Sequence, residues 1–265
     1  MNIWGLSDLH LSFARPKPME VFGDHWRDHA ARVEAAWRER VAPDDVVCLP
    51  GDLSWAMRLP EVQGELEWLA RLPGRKVLVK GNHDYWWSSA ARLRAALPAG
   101  IYALQNDALA LDGVAFAGAR GWVDPSLTFG SLLCALPGEE PEGRLHGIRG
   151  GPEDAKIYRR ELGRLEASLR RLDPAAGLRV ALLHFPPTSP ALEETPVTRL
   201  LERYRVRVAV FGHLHGTGRE RFANPFGCRG GVTYHLVSAD FVNFAPWKVA
   251  ATSLEEARPC RRSPP

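Results

Sequence analysis

The 265-residue chain is poor in cysteine and methionine, and no stretch approaches the ~18 consecutive apolar residues of a membrane-spanning helix. Its four cysteines, Cys48, Cys134, Cys228 and Cys260, are widely scattered and form no C-x-x-C pair. That spacing argues against a disulfide framework or a zinc knuckle and for a reducing compartment. Met1-Asn2-Ile3-Trp4 reaches the acidic Asp8 too soon for the apolar core of a signal peptide, so a cytoplasmic protein without a membrane partner is expected. Charge of a single sign is lacking too. The net charge of +3 is spread along the chain rather than gathered into a basic tract. With no recognisable DNA-binding appendage either, nothing marks a nucleic-acid partner. What is present, 45% hydrophobic and 25% charged residues, excludes the disordered, coiled-coil and collagen-like classes.

Short runs of Val, Leu and Ile alternate with longer amphipathic stretches, the pattern of buried strands joined by helices. Strands are expected at 3–6, 46–49, 77–79, 180–183 and 206–211, and helices at 25–40, 61–71, 88–97 and 153–172. Trp26, Ala30, Val33 and Trp37 give the first helix one apolar face. Residues 108–117 alternate around Asp112-Gly113, a hairpin signal, and a last β-rich stretch is expected around 232–244. Residues 122–152 carry Gly and Pro throughout and read as a long loop, and the Pro-rich end reads as a flexible C-terminal tail. There is no internal repeat. One α/β domain over 1–265 is expected, with two sheets flanked by helices, although periodicity alone does not separate that from a single mixed sheet.

The side chains best suited to metal binding cluster at the carboxyl ends of these strands, the edge where open α/β sheets bind ligands. They are Asp8-Leu9-His10, Gly51-Asp52, Gly81-Asn82-His83-Asp84, His184 and Gly212-His213-Leu214-His215, and they take in five of the nine histidines. In an extended segment alternate residues point the same way, so Asp8 with His10, and His213 with His215, are placed to share a pocket. Gly51, Gly81 and Gly212 let the chain turn sharply and approach an ion.

Taken in order, D-x-H, G-D, G-N-H-D, H and G-H-x-H resemble the motifs of the calcineurin-like metallophosphoesterase superfamily over residues 8–215, in its bacterial phosphohydrolase branch. The resemblance implies a four-layer α/β/β/α fold, a two-sheet β-sandwich flanked by helices, and two divalent metal ions. Asp8, His10, Asp52 and His215 would hold one ion and Asp52, Asn82, His184 and His213 the other, with Asp52 bridging. Two carboxylates leave such a pair net positive, ready to attract phosphate. The implied reaction is hydrolysis of a phosphate ester by in-line attack of a metal-bridging hydroxide. His83 corresponds to a general acid rather than a ligand, and Asp84 to a residue orienting that loop or His83. Imidazole, carboxylate and amide donors suit manganese first, then iron, zinc or cobalt, rather than calcium. The implied partner is a small phosphorylated substrate, a phosphodiester or a nucleotide-like molecule. A metal-dependent nuclease of the same superfamily, or a non-catalytic scaffold, is the alternative. The run Gly51-Asp52-Leu53-Ser54-Trp55-Ala56 lacks the further Asp and Arg-Gly of the protein phosphatases, and His83 stands where the lipid A pathway branch carries Arg. Nothing in the sequence sets an oligomeric state.

Other candidates read more plainly. His25 and His29 have the i, i+4 spacing that chelates metal, but lie on a helix already explained by its apolar face and read as solvated. His146 and His235 have no ligand partner at short spacing. Trp55, Trp86, Trp87 and Trp122 read as packing rather than base stacking. Among Arg15, Lys17, Arg58 and Arg120, the last has the strongest claim on a substrate phosphate, because Gly118 and Gly121 flank it beside the long loop.

Overall fold

The computed structural model describes residues 1–127, 129, 151–215 and 226–252. The chain runs β1 (Asn2–Gly5), α1 (His29–Arg40), β2 (Val46–Pro50), α2 (Gln63–Ala70), β3 (Arg75–Val79), α3 (Ala90–Ala96), β4 (Ile101–Ala103), β5 (Ala108–Leu111) and β6 (Val114–Ala119). It continues through α4 (Pro152–Leu169), β7 (Leu178–Leu183), α5 (Pro196–Arg203), β8 (Val208–Phe211), β9 (Cys228–Arg229), β10 (Val232–Leu236) and β11 (Trp247–Ala251). Two sheets result, ordered β11-β1-β2-β3-β4 and β5-β6-β7-β8-β10-β9. Strands β1 to β4 are parallel, as are β6, β7, β8 and β10, and among the described residues antiparallel strands occur only at edges. The carboxyl ends of the central strands of each sheet therefore emerge together.

Side-chain alternation explains the layers. Val46, Cys48, Val77, Val79, Val180, Leu182, Val208 and Val210 form one buried cluster between the sheets. Their neighbours Val47, Leu49, Leu78, Ala181, Leu183, Ala209 and Phe211 belong to a second cluster with helix residues such as Val33, Trp37, Leu66 and Leu165. A strand buried on both faces cannot alternate apolar with polar, which is why these segments read as unbroken apolar runs. Just past the strand ends the sheets are stitched together. The Ser7 N–H donates to the Val237 carbonyl (2.8 Å) and the Ala239 N–H to the Ser7 carbonyl (2.9 Å).

Several expectations need correction. Asp28 has φ 53 and separates a 3-10 turn at Asp24–Trp26 from α1, so His25 and His29 do not share one helix. Both are half-buried against Trp26 and Phe244 rather than solvated. The β-rich stretch ends at Leu236, and the chain then turns before β11 pairs antiparallel with β1. Of the two cysteines among the described residues, Cys48 is free and buried, whereas Cys228 is disulfide-bonded, a single bridge rather than a framework. The hairpin stands as read, with Asp112 and Gly113 at φ 47 and 79. No helix among the described residues is long and apolar enough to cross a membrane. His146, most of the expected loop and the expected tail lie outside the described residues.

Candidate metal centre

Asp8, His10, Asp52 and His213 follow β1, β2 and β8 with φ of 55, 47, 53 and 69. Left-handed backbone at a non-glycine residue costs about 1–2 kcal/mol, and such strain persists where surroundings enforce it. Here the enforcing bonds run between the turns: the Asp8 N–H to the Gly51 carbonyl (3.0 Å), the His10 N–H to the Asp52 carbonyl (3.1 Å) and the Gly212 N–H to the His184 carbonyl (3.1 Å). Asp8 and His10 thus converge through bends, not through the alternation of an extended segment. The bend at His213 sends His213 and His215 into different donor groups of the same centre. Of the three glycines, only Gly51 has positive φ. Gly81 is needed for room, since a Cβ there would collide with the Asp52 carboxylate.

Two groups of donors meet. In the first, Nε2 of His10 lies 3.4 Å from Nε2 of His215, which faces Oδ1 of Asp8 at 3.6 Å. In the second, Nε2 of His184 lies 2.5 Å from Oδ1 of Asn82 and 3.2 Å from Nδ1 of His213, itself 3.0 Å from Asn82. Asp52 joins them through a single atom. Its Oδ2 lies 3.9 Å from His10 and 3.5 Å from His184, while Oδ1 accepts the His83 N–H at 2.8 Å. Asp8, His10 and His215 form one potential metal cluster, and Asp8, Asp52 and His184 another.

The chemistry of this set fits two cations. Nδ1 of His184 donates to the Pro50 carbonyl (3.0 Å), which leaves Nε2 as a lone pair aimed at the Asn82 oxygen. Two acceptors that close repel each other unless a cation lies between them. Burial holds His10 well below its ordinary pKa, with His215 and His83 acting the same way, and burial takes His184 down to about 4, so both offer neutral imidazoles. Burial also opposes charge on His215, but the carboxylates of Asp240, Asp8 and Asp52 outweigh it and raise it to about 9. Burial pushes Asp52 well above the usual carboxylate range, helped by Asp84 and Asp8. These three buried carboxylates pair with no lysine or arginine among the described residues, an arrangement that bound cations relieve.

Asp84 is a hub of backbone hydrogen bonds beside the centre. Its buried carboxylate accepts N–H groups from Asp52 (2.9 Å), Leu53 (2.9 Å), Ser54 (3.3 Å) and Gly81 (2.8 Å), and Nε1 of Trp86 (3.0 Å). The turns after β2 and β3 are thereby tied into one unit. The His83 ring stands outside both donor groups, 5.6 Å from the His10 ring and 4.5 Å from that of Trp55. Trp86 is core, as read, whereas Trp55 is half-buried and stacks on His10 at 4.8 Å.

Sequence reading missed three supporting residues. The hydroxyls of Ser7 (2.5 Å) and Ser238 (3.1 Å) and the His213 N–H (3.0 Å) all donate to Oδ2 of Asp8, so Oδ1 is the oxygen turned to His215. Nδ1 of His215 donates to Asp240 (3.2 Å), which fixes its tautomer and frees Nε2. Asp240 follows β10, another parallel strand, so its place at a strand's carboxyl end was the available signal. Asp240→Asn should weaken metal binding by ~10–100-fold, read as the dissociation constant for manganese. Unaltered affinity would show that His215 needs no such partner.

Fold and centre together define a class: a four-layer α/β/β/α sandwich whose two sheets supply adjoining donor groups sharing one carboxylate. Residues 1–217 match the family model described as calcineurin-like phosphoesterase, and the chain belongs to that family. It is similar to the gene 66 protein of Mycobacterium phage L5, 33% identical over 116 residues, which is 36% of this chain and 56% of that protein. It is also similar to the gene 66 protein of phage D29, 34% identical over 119 residues, 37% of this chain and 58% of that one. The chain thus spans about half the length of the curated relatives it matches. Among solved structures, phosphopantetheinyl hydrolase from Mycobacterium tuberculosis shares the fold at 18% identity, with a TM-score of 0.50 over 97% of this chain and 98% of that chain.

Proposed function

We propose that this chain is a dinuclear-metal-dependent phosphoesterase acting on a small phosphorylated substrate. The observation that carries the reading is the pair of donor groups meeting at Oδ2 of Asp52. Asp8, His10, Asp52 and His215 hold one ion, and Asp52, Asn82, His184 and His213 the other. Both groups draw on both sheets, so the chain works as a single domain. When bound, two divalent ions, manganese by preference among first-row metals, polarise the ester and ease deprotonation of water. The residues do the rest. Asp84 keeps the Asp52 and Asn82 turns in register, Asp240 aims His215, and His83 gives a proton to the departing oxygen.

A phosphodiester or nucleotide-like substrate suits the walls. Trp55 flanks His10 and His83, and the exposed Tyr85 ring lies 6.3 Å from that of His83. Such a surface accepts an apolar or aromatic group on the ester. The test is a manganese-reconstituted panel of nitrophenyl mono- and diesters, cyclic nucleotides and single-stranded DNA. Hydrolysis of a diester is expected. Two bound ions per chain with no turnover of any member would overturn the reading.

The general-acid part has its own prediction. His83→Gln should lower kcat by ~10²–10⁴-fold for an alkyl ester, whose leaving oxygen needs a proton, and far less for a nitrophenyl ester. Metal content should stay unchanged. Equal losses on both esters would remove His83 from that part.

A further inference from the structure

One side of the centre carries positive charge that metal binding does not use. Strands β3 and β6 touch just before Lys80 and Arg120 leave them, since a Cβ at Gly118 would meet Cγ1 of Val79 at 2.8 Å. Lys80 directly precedes Gly81-Asn82, and the Arg120 carbonyl accepts the N–H groups of His184 (3.0 Å) and Phe185 (3.1 Å). Both cations therefore flank the Asn82–His184 half of the donor set, and each is within electrostatic reach of the other.

Neither has a close ion pair to itself among the described residues. Lys80 is half-buried and forms no ion pair or hydrogen bond among the described residues. Among the described residues Nε of Arg120 is buried with no hydrogen-bond partner, and its guanidinium, over the Trp122 ring at 5.1 Å, reaches Glu161 alone, at 3.5 Å. Glu161, 1% exposed, already serves Arg164 at 2.7 Å and Arg160 at 3.2 Å. Four cations thus crowd about Glu161, with Asp84 and Asp52 of the metal centre as the further carboxylates within electrostatic reach of Lys80 and Arg120. Arg160 and Arg164 reach solvent, whereas Lys80 and Arg120 are half withdrawn from it, and like charges held together in that way favour an anion between them.

We propose that Lys80 and Arg120, backed by Arg164, form an anion subsite beside the metal centre, so that the substrate is a phosphoester bearing a further phosphate or similar oxyanion. Calling its occupant part of the substrate rests on the phosphoesterase reading; the anion binding itself does not. A purely structural network pinning α4 to β6 would change thermal stability without discriminating between ligands.

Calorimetry on the manganese-loaded full chain separates these, with thymidine 5′-monophosphate and thymidine 3′,5′-bisphosphate as probes. The bisphosphate should bind ~10-fold or more tightly than the monophosphate, as expected for a charge-assisted contact, and the gap should close in Lys80→Gln/Arg120→Gln. Equal affinities in the unaltered protein, or a gap that survives the double substitution, overturns the subsite. Should the double variant not fold, Lys80→Gln alone is read the same way. Turnover of thymidine 5′-(4-nitrophenyl phosphate), with and without a 3′-phosphate, adds the second arm. If neither ester is hydrolysed while the binding gap is present, the phosphoesterase reading fails and the subsite stands.

Discussion

Asp52→Asn should reduce turnover by ~10³-fold or more, a loss of about 4 kcal/mol of transition-state stabilisation. The change is nearly isosteric. An Asn oxygen retains the bond from the His83 N–H at 2.8 Å, so the turn after β2 should keep its shape. What disappears is the charge on Oδ2, which faces both His10 and His184. Metal analysis beside kcat on a nitrophenyl diester checks this, and the variant should lose one or both ions. Full metal content with full activity would mean that another carboxylate bridges the site.

The second large effect is on stability. Asp84→Ala leaves the N–H groups of Asp52, Leu53, Ser54 and Gly81 and the Trp86 indole without their acceptor. Each orphaned buried donor costs ~1–3 kcal/mol, so the sum should reach ~4 kcal/mol or more even after relaxation and water entry. Urea unfolding measures it. Asp84→Asn should fall between, because one amide oxygen can still serve part of the set while the NH₂ group meets a donor. A loss below about 1 kcal/mol for the alanine variant would show that the two turns hold their shape unaided.

How much of this was legible beforehand follows from which interactions are local. Strands such as β2 and β3 were visible because burial on both faces makes them apolar without interruption, and the Asp112-Gly113 turn announced its hairpin. Helix α5 is only eight residues long, although Thr195 closes a capping box with Thr198 and Pro196 opens the helix. Strand β4 has three residues, and β11 is an edge strand paired far along the sequence with β1. Such elements exist through tertiary pairing, which no short window of sequence records. The donor types of the candidate centre were legible because metal binding draws on few side chains, Asp, His and Asn among them. The partners Ser7, Ser238 and Asp240 were not, since serine and aspartate at strand ends usually serve turns.

The packing between the sheets has a consequence for the candidate centre. Each donor group straddles the seam: Asp8 and His10 come from one sheet and His215 from the other, Asp52 and Asn82 from one and His184 and His213 from the other. A slip of one sheet over its neighbour would change both groups at once. The apolar layer of Val46, Cys48, Val77, Val180 and Val210 therefore serves as a spacer of fixed thickness, because a close-packed interior yields little. Separation between ligands is in this sense machined far beneath the reacting atoms, by residues that never meet the substrate.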